Sequence, residues 1–239
     1  MIVEYDGTGF SGWQRQENAP TIQASLEDAL RQMTGVPTVI KGAGRTDAGV
    51  HALGQVAHFD TEANIPLHGF RRGLNQLVSR QISVADVFEA APDFDARFSA
   101  RGKLYRYQIW NRDSRRPHLE RFAWHTPRAL DAAKMHEAGA FLVGRHDFAA
   151  FRAADCERRT TIRNVSRLAV TRENDLVTLE IEADAFLKNM VRIITGTLVE
   201  VGWGKRVPQN LPELVAGGDR TKSGVTAPAM GLTMVRVDY

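Results

Sequence analysis

The chain has almost no cysteine: Cys156 is the only one in 239 residues. That excludes a disulfide framework, so the fold has to be held by an ordinary core and the expected compartment is a reducing cytoplasm. No apolar run approaches the ~18 residues of a membrane span. The first residues carry Glu4 and Asp6 where a signal peptide carries Lys or Arg, so neither secretion nor membrane insertion is expected. Lysine is scarce as well, with six against 25 arginines.

What is present suits a folded protein of one large or two small domains. Hydrophobic residues make up 43% of the sequence, and a chain of this length buries roughly 70 to 75% of its unfolded surface. The net charge of +3 hides a local excess. Residues 97–128 hold nine Arg or Lys against Asp113 and Glu120, and residues 145–172 hold seven Arg against Asp147, Asp155 and Glu157. Arginine's planar fork matches phosphate oxygens two at a time, so this excess points to a polyanion. The plainer reading is a solvated face in a sequence that favours Arg over Lys.

Periodicity predicts the order β-α-β-β-α-β in the first half. Ile2 to Tyr5 reads as a strand, and residues 21–34 as an amphipathic helix stopped by Gly35. A strand at Thr38–Lys41, one near Gln55–Asp60, a helix from Pro66 and a strand at Ile82–Phe88 follow. The second half repeats the order: a strand around Lys103–Trp110, a helix from about Leu130 to Val143, and paired strands at Arg163–Thr171 and Leu176–Ala183. A helix through Leu187, Met190, Val191, Ile194 and Leu198 and a strand at Gly231–Asp238 complete it. The fold class expected is α+β, with two tandem ferredoxin-like halves meeting near the Pro-containing stretch at residues 92–100. The halves are then 1–95 and 96–239.

Between the two middle strands of the first half, Gly42-Ala43-Gly44-Arg45-Thr46-Asp47-Ala48-Gly49-Val50-His51 is dense in glycine. Gly44 and Gly49 have P-loop spacing, but Val50-His51 stands where Lys and Ser or Thr are required. Asp47 occupies the third glycine of the dinucleotide fingerprint. Neither calcium-loop nor zinc-ligand spacing is present, so no metal is expected. On composition alone Asp47 reads as a turn residue capping the N–H of Ala48 or Gly49.

Gly44-Arg45-Thr46-Asp47-Ala48-Gly49-Val50-His51-Ala52 resembles the signature of the tRNA pseudouridine synthase A family, whose single essential aspartate is the Asp of that motif. Further blocks agree in order: Tyr5-Asp6-Gly7-Thr8 with Gly12-Trp13-Gln14, Ala96-Arg97-Phe98-Ser99-Ala100 with Tyr105-Arg106-Tyr107, and Asp147-Phe148 with Phe151-Arg152. Phe186-Leu187 with Asn189-Met190-Val191-Arg192, Gly196-Thr197-Leu198, and Thr226-Ala227-Pro228 with Gly231-Leu232 complete the set. Two positions depart from the pattern. The family has a few more residues before the first strand, and Met230 stands in place of a His.

The resemblance implies two related halves joined into one mixed, mostly antiparallel sheet with flanking helices. It implies isomerisation of uridine to pseudouridine at tRNA positions 38, 39 and 40, by a homodimer and without a cofactor. It makes Asp47 the catalytic carboxylate, acting as nucleophile at C1′ or base at C2′, with Arg192 as its basic partner. It also assigns Tyr105 to stacking on the target base. Arg45 either enters the RNA to hold the nucleotide out of its stack or contacts a phosphate. A silent RNA-binding module of ferredoxin-like fold is the alternative; Lys103-Leu104 after Arg101-Gly102 argues against an RRM.

Overall fold

The computed structural model describes residues 1–156 and 158–239. It divides into two compact units, residues 1–101 with 233–239, and residues 102–232. The fold is α+β.

The first unit runs β1 (Ile2–Tyr5), α1 (Ile22–Thr34), β2 (Lys41–Gly42), β3 (His51–His58), α2 (Leu67–Leu77) and β4 (Ile82–Asp86). This is the order that periodicity predicts. Strand β1 pairs antiparallel with both β3 and β4, which gives the ferredoxin-like placement of first, third and fourth strands. The second strand is reduced to two residues on β3. It begins at Lys41, so Thr38–Ile40 are not part of it. In α1, the Thr21 hydroxyl accepts the Ala24 N–H at 3.3 Å, and Gly35 ends the helix at φ 76°. Ile22, Leu26, Ala29 and Leu30 are buried along one stripe. Helix α2 buries only Phe70 and Leu74, while Leu67 and Leu77 at its ends are exposed.

The second unit contains β5 (Gly102–Trp110), β6 (Trp124–His125), α3 (Ala132–Ala140), β7 (Gly144–Asp147), β8 (Ile162–Glu173), β9 (Leu176–Ala183), α4 (Met190–Gly202) and α5 (Leu211–Gly217). Strands β5, β9, β8 and β7 pair antiparallel in that order, and β6 lies parallel on β5. The β8–β9 turn is tighter than its sequence suggests. Both strands extend until only Asn174-Asp175 remain, with Asn174 at φ 54° supplying the left-handed residue that a two-residue hairpin needs. The Asp131 carboxylate caps α3 by accepting the Lys134 N–H at 3.0 Å. Helix α4 is buried nearly all round, which is why its sequence reads as apolar rather than amphipathic.

The last strand, β10 (Leu232–Asp238), pairs in parallel with β3 through Thr233 and Met234, and so belongs to the first unit. Strands β6 and β7 and helix α5 have no clear period in the sequence because each has at most seven residues.

Candidate active site

Residues 43–50 connect β2 to β3, and this connection is held from outside by residues 5–13. The Trp13 N–H donates to the Thr46 carbonyl at 3.1 Å, and the Gly49 N–H donates to the Phe10 carbonyl at 3.2 Å. The Val50 N–H closes a turn on the Asp47 carbonyl at 3.1 Å. The Tyr5 hydroxyl and the buried Thr46 hydroxyl share a hydrogen bond of 2.8 Å, and Gln55 Nε2 donates to the Gly44 carbonyl at 2.8 Å. The Gly7 N–H donates to His51 Nδ1 at 3.0 Å just beyond the loop.

Two glycines make this contact possible. A Cβ on Gly7 would lie 2.1 Å from the Val50 carbonyl oxygen, and one on Gly12 would lie 2.5 Å from that of Thr46. Gly12 also sits at φ 91°. The Tyr5-to-Thr8 and Gly12-to-Gln14 blocks thus serve as the clamp on the Asp47 loop. Asp47 itself is half-buried, between exposed Arg45 and exposed Ala48. The Gly49 N–H, one of the two donors a capping Asp47 would use, goes to Phe10 instead.

In the second unit, Arg192 lies in the first turn of α4, which follows Asn189 at φ 60°. Its Nε donates to the Ala227 carbonyl at 2.7 Å and its Nη1 to Asn189 Oδ1 at 2.9 Å. The Ala227 N–H returns to the Arg192 carbonyl at 3.1 Å. Helix and segment approach so closely that a Cβ on Gly196 would overlap the Val225 carbonyl oxygen at 1.8 Å. The Gly224 N–H donates to the buried Thr197 hydroxyl at 2.9 Å. The guanidinium is thus held between the Ala227 carbonyl and the Asn189 side chain.

Tyr105 on β5 is 7% exposed and meets Phe186 edge to face, with ring centroids 5.0 Å apart. Tyr107, two residues on and fully buried, donates its hydroxyl to the Pro228 carbonyl at 2.7 Å. Burial drives the Tyr107 phenol well above its ordinary range, and the Arg192 charge partly offsets this. Asn189 and Phe186, which orient Arg192 and Tyr105, carry no chemical signal of their own. Their one visible mark is their place in the blocks around Arg192.

The arginine excess separates into two populations. Arg163 is 8% exposed and donates to the Thr160 carbonyl at 3.1 Å; burial lowers its pKa. Arg172 donates to Asn111 Oδ1 at 2.7 Å and to the Leu130 carbonyl at 2.9 Å, and Arg106 pairs with Glu180 at 2.9 Å. Arg172 and Arg106 join separate segments of the second unit, whereas Arg163 bonds carbonyls of its own strand end. Arg112, Arg115 and Arg116 instead line a groove of about 600 Å³ with Trp110 and Asp175. Arg116 lies 4.9 Å from the Trp110 ring centroid and Arg112 pairs with Asp175 at 3.2 Å. Among the described residues, no group of three or more His, Cys, Asp or Glu could hold a metal ion, and no helix is long and apolar enough to cross a membrane.

The first unit is ferredoxin-like and carries a clamped loop with a carboxylate, and the class of enzyme follows from the family that the chain matches. The tRNA pseudouridine synthase family pattern matches residues 1–99 and 138–239, and the chain belongs to that family. Its reaction class is therefore isomerisation, the conversion of uridine to pseudouridine. The chain is 47% identical to tRNA pseudouridine synthase A of Syntrophotalea carbinolica over 239 residues, covering 100% of this chain and 95% of that one. It is also 47% identical to tRNA pseudouridine synthase A of Geotalea uraniireducens over 239 residues, covering 100% and 98%. A remoter likeness, to the crystal structure of a Cbf5-Nop10-Gar1 complex, has TM-score 0.39 and 11% identity, covering 99% of this chain and 48% of that one. It adds nothing to the assignment.

Proposed function

We propose that this protein isomerises uridine at positions 38, 39 and 40 of tRNA, on the 3′ side of the anticodon stem-loop, in the cytoplasm, as a homodimer and without a cofactor. The observation that carries the reading is the half-buried Asp47 on a loop whose backbone is bonded on both sides of it. A turn residue needs no such clamp, whereas a carboxylate that meets a reacting carbon must be held in place.

In the reaction the N1–C1′ bond breaks, the base turns, C5 bonds to C1′, the C5 proton leaves to water and N1 takes up a proton. A carboxylate beside an anomeric carbon suits the positive charge that develops there, so Asp47 acts on the sugar as nucleophile at C1′ or base at C2′. Arg192, fixed at the start of α4, is the basic residue of the reaction. Tyr105 stacks on the target base, and Arg45, exposed on the same loop as Asp47, reaches into the RNA. The first unit carries the catalytic loop; the second carries the stacking tyrosine and the basic groove. Arg115 and Arg116 contact phosphate.

The test is a tRNA transcript tritiated at uridine C5. Release of tritium to water, mapped to the three positions, is the expected result. Tight tRNA binding without release would identify a silent binding module. Light scattering that finds a monomer at micromolar protein would remove the homodimer.

A further inference from the structure

Phe98 is 81% exposed, the most exposed of the large hydrophobic side chains in the described residues. It belongs to Ala96-Arg97-Phe98-Ser99-Ala100, a sequence block to which the site described above gives no work. A single apolar side chain in water needs no explanation when it lies on a loose loop. This loop is not loose. Asp95 Oδ1 accepts the N–H of Arg97 at 2.8 Å and of Phe98 at 2.9 Å. The Ser99 N–H donates to the Asp95 carbonyl at 2.9 Å, and the Ser99 hydroxyl accepts the Asp95 N–H at 3.2 Å.

The loop is also anchored to the first unit. Ala96 is fully buried; its N–H donates to His58 Nδ1 at 3.1 Å and its carbonyl accepts the Tyr239 hydroxyl at 2.7 Å. Phe94 packs against Tyr239 with ring centroids 5.0 Å apart. The loop backbone is bonded in place, and its one large apolar side chain exposed to solvent is an aromatic ring. The Arg97 guanidinium stands 5.3 Å from the centroid of that ring, and Arg101 is exposed three residues on.

We propose that Phe98 is a stacking platform for an unpaired nucleobase of the RNA substrate, with Arg97 steadying the ring and adding positive charge toward the phosphates. This rests on the reading of the substrate as tRNA. A pinned aromatic face flanked by arginine is what single-stranded RNA recognises, since every base has a face to stack and every nucleotide a negative charge. A protein partner would want a wider apolar patch around the ring, whereas the adjoining Arg97, Ser99 and Arg101 are polar and exposed.

The experiment measures pseudouridine formation by the full chain on a tritiated tRNA transcript, for Phe98→Ala, Phe98→Leu and Phe98→Trp. Loss of the ring in the Ala and Leu variants should raise KM by roughly tenfold or more, the Trp variant should keep the parental KM, and kcat should change by less than about twofold in all three. A parental KM in Phe98→Leu or Phe98→Ala overturns the proposal. So does a Phe98→Ala variant that sediments as a smaller species, because the ring is then covered by a second copy. If the unsubstituted protein releases no tritium, the isomerase reading falls while stacking is still read from the same variants by titrating tRNA binding.

Discussion

The Tyr107 hydroxyl donates to the carbonyl of Pro228, 121 residues away, at 2.7 Å. Pro228 follows Ala227, whose carbonyl accepts from Arg192 Nε. One short segment therefore receives a bond from β5 and another from the start of α4, and Arg192 is aimed from a position that Tyr107 helps to hold. A Cβ on Gly231 would come within 2.5 Å of the Tyr107 ring, so the segment lies flat on that tyrosine. Tyr107→Phe should lower stability by roughly 1–2 kcal/mol, because the Pro228 carbonyl loses its donor while the ring packing remains. Its activity should also fall, since the segment that orients Arg192 is loosened. A denaturant midpoint equal to the parent's would show that the bond contributes nothing.

Burial raises the phenol pKa of Tyr5 and Tyr107 above the ordinary value near 10. The folded state thus holds protons that the unfolded state has already released. Stability from these groups is complete below about pH 10 and declines as pH rises above it. Absorbance at the tyrosinate band should show these two phenols titrating together with alkaline unfolding, seen as loss of the circular dichroism of the fold. Free titration near pH 10 with the fold intact would contradict it.

Gly7→Ala and Gly9→Ala should behave differently. An added Cβ at Gly7 collides with the Val50 carbonyl, whereas at Gly9, φ 82°, it meets nothing within 4 Å. The first substitution should cost roughly 1–3 kcal/mol and displace the loop that carries Asp47, lowering turnover by roughly 10²-fold. The second should cost only the strain of a left-handed alanine, roughly 1–2 kcal/mol, and leave turnover near the parent's. Equal turnover in the two variants would show that the clamp does not position Asp47.

Reversing Arg115 and Arg116 together to Glu should weaken tRNA binding and reduce the salt dependence of the binding constant by roughly two in the log–log slope. The side chains are exposed, so the thermal midpoint should hold. Arg172→Glu should do the opposite, destabilising the unit in which it bonds Asn111 and Leu130. An unchanged slope in the first variant would make the groove a solvated face.

Asp47→Asn retains size and hydrogen-bonding capacity but removes the charge and the nucleophilic oxygen. A turn residue would tolerate the change, since Asn makes the same local bonds. A catalytic carboxylate would not: pseudouridine formation should vanish while the melting curve and tRNA affinity persist. Near-normal tritium release by the purified variant would sink the assignment.

Local chemistry was enough to read the order of elements and the limits of several of them. Thr21 and Gly35 bound α1 because caps act within one turn, whereas the β8–β9 turn is two residues shorter than the four, Arg172 to Asp175, that its polar run suggests. Asp47 did not stand out locally: composition reads it as a turn residue, and only the resemblance of the whole motif marks it as catalytic. Long-range packing decided the rest. Gly7 and Gly12 look like turn residues until Val50 and Thr46, some 34 to 43 positions later, lie against them. Arg163 and Arg172 share the composition of Arg115 and Arg116 but bond backbone carbonyls of their own unit, so charge counting could not tell structural arginines from available ones. Strand β10 has the alternation of any half-buried strand, yet its place beside β3 depends on a partner about 180 residues earlier. Periods and caps act over a few residues and are written in order along the chain; clamps, buried hydroxyl bonds and strand partners join segments whose separation leaves no trace in local sequence.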